Sequence, residues 1–199
     1  MKECLLIILS YLYGSIPFAL VIGKVFYKTD VRQHGSGNLG GSNVGRVLGK
    51  PAGIACIVLD ASKAFLVMFV CKYFVIHYNL IPDFYYLCAF ACVIGHCFPI
   101  FAGFKGGKAV STAIGYFFAI NPLGAVLSLV IFFIVLKLSK YVSLSSCIAS
   151  GTVLIFSPLL NLSMLGTIAT WGIVLLLIYR HKSNFINIKN KTERKITWM

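Results

Sequence analysis

The sequence predicts an all-α polytopic membrane protein of seven transmembrane helices, two of them short, with the N-terminus outside and the C-terminus cytoplasmic. Three observations predict it. Of 199 residues, 59% are hydrophobic and only 12% charged, whereas soluble domains run near 25% charged. The mean hydropathy is +0.89. The 18 Lys and Arg outnumber five acids, a formal +13, and most of them gather between the apolar runs or after the last one. A soluble nucleic-acid binder can be this basic but not also this apolar, and a disordered basic tail needs low hydrophobicity. The lipid bilayer is therefore the expected partner, and nucleic acid is not. The seven cysteines form no C-x-x-C pair and no Cys/His zinc spacing. They read as small apolar residues on membrane helices, and no metal or cofactor is expected.

Apolar runs occur at about 4–24, 52–76, 84–104, 109–136, 142–160 and 163–180, against the roughly 20 residues that a span needs. The first is interrupted by Gly14, Ser15 and Pro17. It reads as a span rather than a removed signal peptide, because no clean small-x-small cleavage site follows. The run 109–136 is too long for one comfortable helix, and Asn121-Pro122 near its middle signals a turn or a kink. Charge decides between them. Lys24, Lys28, Arg32, Arg46 and Lys50 fall in the first loop, Lys105 and Lys108 in a second, and Lys137 and Lys140 in a third. Arg180, Lys182, Lys189, Lys191, Arg194 and Lys195 follow the last run. If Asn121-Pro122 is a hairpin tip, all four clusters lie on one side, as the positive-inside rule asks. The long run then splits into two short spans at about 109–120 and 123–137, within a single integral-membrane domain, 1–199.

Two loops carry chemistry. The first runs from Val31 to Arg46, with five glycines, two serines and two asparagines between Gly35 and Gly45. Glycine permits close backbone approach, so successive N–H groups can point at one anion. Ser36, Asn38, Ser42 and Asn43 add polar groups among Gly37 and Gly40, and Arg46 adds a planar fork suited to phosphate. In the second, Lys105 and Lys108 flank Gly106-Gly107 directly before an apolar helix. Helix N–H groups and two ammonium groups there converge on one spot, which again suits phosphate. It is not a P-loop, since Ala109 follows Lys108 and the upstream glycine spacing fails. A topological signal needs positive charge but not glycine clusters, so the pair of loops points to phosphate recognition.

Acid–base groups are few. None of His34, His77, His96 and His181 begins an H-x-x-x-x-D pattern, in which a carboxylate would orient a histidine base. No G-x-S-x-G elbow is present, and the five acids form no paired-carboxylate site. His96, near a span end, reads as structural. Asp60 and Lys63 lie i,i+3 within the second span, where ionisable residues usually pair and face the bundle interior. They are expected to form a structural ion pair that holds the glycine-rich loop.

With these loops in hand, the sequence resembles the bacterial PlsY family of membrane glycerol-3-phosphate acyltransferases. Ser36-Gly37-Asn38-Leu39-Gly40-Gly41-Ser42-Asn43-Val44-Gly45-Arg46 resembles one family block. Gly95-His96-Cys97-Phe98-Pro99-Ile100-Phe101 through Phe104-Lys105-Gly106-Gly107-Lys108 resembles a second, and Arg180-His181 with Asn184 and Glu193 a third. Gly14-Ser15-Ile16-Pro17-Phe18, Leu59-Asp60 with Lys63, and Tyr141-Val142-Ser143-Leu144 are supporting matches. Gly41-Ser42 stands where the family has Ala-Thr, Ala109 where it has Gly, and the third block departs at Phe185, Asn187 and Lys191.

The resemblance implies transfer of a fatty acyl group from acyl phosphate to the 1-hydroxyl of sn-glycerol 3-phosphate, giving lysophosphatidic acid and phosphate. It implies a bacterial inner-membrane location with the site facing the cytoplasm, and a functional link to the enzyme that makes acyl phosphate. Ser36, Arg46 and Lys105 would hold the acyl phosphate, and Lys108, Ser143, His181, Asn184 and Glu193 the glycerol 3-phosphate. Gly37, Asn38, Gly40, Ser42, Asn43, Gly106 and Gly107 would line the two cradles. The alternative reading is a membrane transporter for a phosphorylated metabolite.

Overall fold

The computed structural model describes residues 1–196, so positions 197–199 of the expected domain lie outside the described residues. Among the described residues every regular element is helical. The first apolar stretch comprises α1 (Lys2–Gly14), α2 (Phe18–Val21) and a π-helical turn, Ile22–Phe26. Pro17 interrupts it, because proline has no N–H and keeps Ile16 out of the helical region. An amphipathic helix, α3 (Gly41–Leu48), follows the first glycine-rich loop. Then come α4 (Lys50–His77), α5 (Tyr85–Cys97), α6 (Val110–Ile120), α7 (Pro122–Ser139), α8 (Val142–Phe156), α9 (Met164–Arg180) and α10 (Lys182–Lys189).

Five stretches are long and apolar enough to cross a membrane: Lys2–Phe26, Lys50–His77, Tyr85–Ala102, Pro122–Ser139 and Val142–Leu160. Helix α9 joins them as a sixth when taken with α10 across a bend of 44°. At 11 residues, α6 rises only about 16 Å and falls short of a bilayer core about 30 Å thick. Seven apolar helical segments thus stand where the sequence placed them, of which five or six have the length of a span.

The break at Asn121 reverses the chain. The side-chain oxygen of Asn121 accepts the Gly124 N–H at 2.8 Å, an N-cap with Pro122 at the first helical position. Helix α6 starts beside Lys108 and α7 ends just before Ser143. The side chains of Lys108 and Ser143 belong to one hydrogen-bonded cluster, so α6 leaves that end of the bundle and α7 returns to it.

Helix α5 packs against α1, α4 and α9, and α6 against α4, α7 and α9. Small side chains let the backbones meet, the usual device where lipid removes a hydrophobic drive between helices. A Cβ on Gly95 would lie 2.3 Å from the Tyr11 carbonyl oxygen, so α1 and α5 touch backbone to backbone. Alanines and cysteines such as Ala64, Cys88, Cys92 and Ala113 fill the core. Deep within it, the Tyr116 hydroxyl pairs with Thr170 Oγ1 at 2.9 Å. Leu, Ile, Val and Phe cover the outward faces of α1, α4 and α7, as lipid requires.

Candidate active site

The segments that carry the basic clusters meet at one end of the bundle. Asp30 starts the first loop, accepting the Arg32 N–H at 3.0 Å and the Arg32 guanidinium at 2.6 Å. The Arg32 hydrogen bond holds the Asp30 carboxyl far below the usual carboxylate range. Gly35 and Gly37 then take φ of +65° and +68°, a region open to glycine at no steric cost. The loop closes around Asn43, which is 2% exposed. Its Oδ1 accepts the Ser36 N–H at 2.8 Å, and its Nδ2 donates to the carbonyls of Val31 at 3.0 Å and His34 at 3.3 Å. The Asn43 amide is therefore taken up by the loop itself rather than turned toward a ligand. Ser36, Gly37, Ser42 and Arg46 stay exposed, and Gly40 caps α3. The Arg46 guanidinium donates to Asn43 Oδ1 at 3.4 Å.

The second loop is built the other way. Gly106 and Gly107 are buried. Their N–H groups donate to the carbonyls of Cys97 at 3.2 Å and His96 at 3.0 Å. The two glycine amides of the expected cradle are thus taken up within the protein. Their carbonyls accept the Arg180 guanidinium, both at 3.2 Å, and Asn38 Nδ2 reaches the Gly106 carbonyl at 3.3 Å, joining the two loops. Arg180 also stacks on Phe98, 5.0 Å from the ring centre. What this loop offers an anion is thus the exposed Lys105, the half-buried Lys108 and the start of α6.

The tail supplies the third wall. Lys108 Nζ donates to Asn184 Oδ1. Asn184 Nδ2 and Ser143 Oγ each donate to Glu193 Oε1 at 2.7 Å, and Asn187 Nδ2 donates to Oε2 at 3.4 Å. Burial is the main cause lowering the Lys108 pKa, opposed by the charge of Glu193. His181, at the joint between α9 and α10, donates from Nδ1 to the Leu177 carbonyl at 2.8 Å. Burial pushes its pKa down to about 4. The imidazole is neutral at pH 7, and its Nε2 is left as an acceptor.

Lys108, Ser143, Asn184 and Glu193 thus form one network with His181 beside it, while Ser36, Arg46 and Lys105 stand exposed at the same end. Asp60 and Lys63 lie beneath, paired at 2.9 Å with both side chains nearly sealed from solvent. Asp60 also faces His96 Nδ1 at 3.5 Å. The sequence reading gave Arg180 no role, although it adjoins His181. Its partners are two carbonyls more than 70 residues away, which no local pattern marks.

The model of the glycerol-3-phosphate acyltransferase family matches residues 4–191. A glycerol-3-phosphate acyltransferase of Listeria monocytogenes is 46% identical over 195 residues, covering 98% of this chain and 97% of the relative. One from Staphylococcus saprophyticus is 44% identical over the whole of both chains. The crystal structure of PlsY, an integral membrane glycerol 3-phosphate acyltransferase in its glycerol 3-phosphate form, superposes with a TM-score of 0.89. It is 34% identical, covering 99% of this chain and 96% of that one. Its lysophosphatidic acid form gives a TM-score of 0.88. The chain belongs to the glycerol-3-phosphate acyltransferase family.

Proposed function

We propose that the protein transfers a fatty acyl group from acyl phosphate to the 1-hydroxyl of sn-glycerol 3-phosphate, releasing lysophosphatidic acid and inorganic phosphate. The observation that carries this reading is the meeting of two glycine-rich basic loops and the Asn184–Glu193 tail at one end of the bundle. Both substrates are phosphates, one with an apolar tail that can lie among the spans. Ser36, Arg46, Lys105 and the first N–H groups of α3 hold the acyl phosphate. Lys108, Ser143, His181, Asn184 and Glu193 hold glycerol 3-phosphate, with His181 Nε2 accepting from a glycerol hydroxyl and Glu193 orienting Ser143 and Asn184. Asn43, Arg180, Gly106 and Gly107 shape the loops. Gly37, Asn38, Gly40 and Ser42 line the first cradle.

The chemistry needs a proton acceptor, and His181, the imidazole set beside the glycerol hydroxyls, is a weak base because burial pushes its pKa down to about 4. The His96–Asp60 pair is sealed under the second loop, and His181 has a carbonyl rather than a carboxylate on Nδ1. The mechanism is therefore substrate-assisted. The 1-hydroxyl oxygen attacks the acyl carbonyl carbon, the carbon–oxygen bond to phosphate breaks, and the hydroxyl proton passes to an oxygen of the departing phosphate. The protein contributes proximity and positive charge where negative charge develops. Transport calls for a site near the bilayer midplane, whereas the basic loops and the tail gather at one end of the bundle. The test is a detergent-solubilised assay. Phosphate release that needs both acyl phosphate and glycerol 3-phosphate, and is lost in Arg46→Ala, supports the reading. Release without glycerol 3-phosphate overturns it.

The topology we propose is seven spans in a single domain of the bacterial inner membrane, with the N-terminus outside and the site cytoplasmic. The gathering of the basic segments at one end supports it through the positive-inside rule. Acyl phosphate then comes from an enzyme working on the same side. A C-terminal reporter active only outside the cytoplasm overturns the arrangement.

A further inference from the structure

We propose that His96 is a positioning residue. Seated on the buried Asp60–Lys63 pair, its imidazole is the floor on which Gly107 rests, and it thereby fixes the separation of Lys105 and Lys108. The inference rests on the function proposed above, in which those two lysines hold the two substrate phosphates.

The floor is visible in what Gly107 lacks. A Cβ built there would lie 2.0 Å from His96 Nε2, 2.6 Å from Cε1 and 3.0 Å from Cδ2, and its three nearest neighbours all belong to that ring. The Gly107 φ is not in the left-handed region, so the backbone itself accepts any residue. Glycine is required at 107 because His96 is there. Gly106 is different. Its Cβ would meet the His96 carbonyl oxygen at 2.1 Å and Pro99 Cδ at 2.4 Å, contacts that do not depend on the imidazole.

The ring is held from below. Its Nδ1 faces Asp60 Oδ1 at 3.5 Å. Lys63 Nζ neutralises the same oxygen at 2.9 Å, and Cys56 Sγ donates to the other at 3.5 Å. Lys63 further donates to the carbonyls of Gly14 and Ile16 at the break in the first span. A carboxylate beside Nδ1 favours one orientation of the imidazole, which a purely apolar side chain would lack. From above, Arg180 grips the carbonyls of Gly106 and Gly107. The segment between the two lysines is clamped on both sides, and a misplacement on the order of 1 Å in such a segment costs about 100-fold in rate.

The test is a double-mutant cycle in the purified full-length protein, reading kcat, KM for each substrate, and Tm. Gly107→Ala should lower kcat/KM for glycerol 3-phosphate about 100-fold. His96→Ala should raise KM for glycerol 3-phosphate about tenfold with kcat within about threefold, an uneven loss characteristic of misplaced binding groups. With the imidazole gone, Gly107→Ala should cost less than about threefold further, whereas Gly106→Ala should cost the same in either background. His96→Asn, which keeps a donor toward Asp60 but removes the ring under Gly107, repeats the cycle should His96→Ala not fold. Equal cost of Gly107→Ala in all backgrounds, or unchanged KM values in both His96 variants, overturns the proposal. The Tm cycle reports the His96–Gly107 coupling without any substrate. A wild-type protein that turns nothing over, yet shows that coupling, would sink the functional reading and leave the floor standing.

Discussion

The two glycine-rich loops have similar compositions and opposite constructions. The first is organised from inside by its own Asn43, and its glycines at 35 and 37 serve a left-handed backbone. Its ligand-bearing residues remain on the surface. The second is organised from outside, by Arg180 above and His96 below, and its glycines at 106 and 107 serve close packing. In the first loop glycine buys conformation, while in the second it makes room. The same residue type therefore predicts different failures. Substitution at Gly35 or Gly37 strains the backbone, at Gly35 crowding Asn43 as well, and substitution at Gly106 or Gly107 displaces a neighbouring segment.

The largest effect should come at the residues proposed to hold phosphate in each loop. Arg46→Ala and Lys105→Ala should each lower kcat by about 100- to 1000-fold, the cost of losing one preorganised charge donor. Both side chains are exposed, so circular dichroism and Tm should stay at wild-type values. A clear drop in Tm would mean that the residue is part of the scaffold instead.

Next come the two organisers, which bear directly on the contrast. Asn43→Ala removes three hydrogen bonds from the loop, those to the Ser36 N–H and to the carbonyls of Val31 and His34, at about 0.5–1.5 kcal/mol each. It should raise KM for acyl phosphate more than for glycerol 3-phosphate. Arg180→Ala removes two charge-assisted hydrogen bonds from Gly106 and Gly107 and should raise KM for glycerol 3-phosphate more. Steady-state kinetics with each substrate varied in turn checks both. Equal shifts in the two KM values for both variants would erase the distinction between the loops.

His181 gives a pH test of intermediate size. Its pKa falls to about 4 in the folded protein, from about 6.5 when unfolded. Below 6.5 the unfolded chain binds a proton that the folded chain refuses. Stability is full above that pH and falls, by up to about 3 kcal/mol, as pH drops toward 4. Thermal melts between pH 4 and 8 should show this loss in the wild type and a flatter profile in His181→Gln. Any limb of turnover near pH 6 should persist in His181→Gln, since it belongs to the substrate phosphates, whose second pKa lies at about 6.

The smallest effect is expected at Ala109, an alanine at φ +69° with no exposed surface. Ala109→Gly relieves a left-handed strain of about 1–2 kcal/mol. It gives back about 0.5–1 kcal/mol in chain entropy and about 0.8 kcal/mol for the buried methyl. The net change should stay under about 1 kcal/mol, and a larger loss by thermal melting would mean that the methyl group packs as a wedge between the loops.

Much of the fold was legible because hydropathy and charge act over long stretches. The apolar runs, the reversal at Asn121-Pro122 and the Asp60–Lys63 pair at i,i+3 all depend on residues near one another in sequence. Helices α3 and α10 were not legible. They are eight residues each, and their glycine, serine and asparagine content reads as loop. Within the site, residue type nominated Ser36, Arg46, Lys105 and Lys108, which lie at one end of the bundle. The inward turn of Asn43, the clamp by Arg180 and the floor beneath Gly107 were not legible. Each depends on which segment lies opposite, and for Arg180 and Gly107 that partner is supplied only by the assembled bundle.

The break at Ser15-Ile16-Pro17 also bears on biosynthesis. The Gly14 carbonyl accepts from Lys63, the Ile16 carbonyl from both Lys63 and the Phe18 N–H, and α4 carries Asp60 and Lys63 into the apolar layer. A lone charged residue at a helix centre costs about 2.5–3.5 kcal/mol on the scale set by translocon insertion. Docking of α4 beside the break gives both charges a partner, so a Lys63→Leu chain, whose Asp60 is left without its lysine, should accumulate in the membrane to a lower level than the wild type.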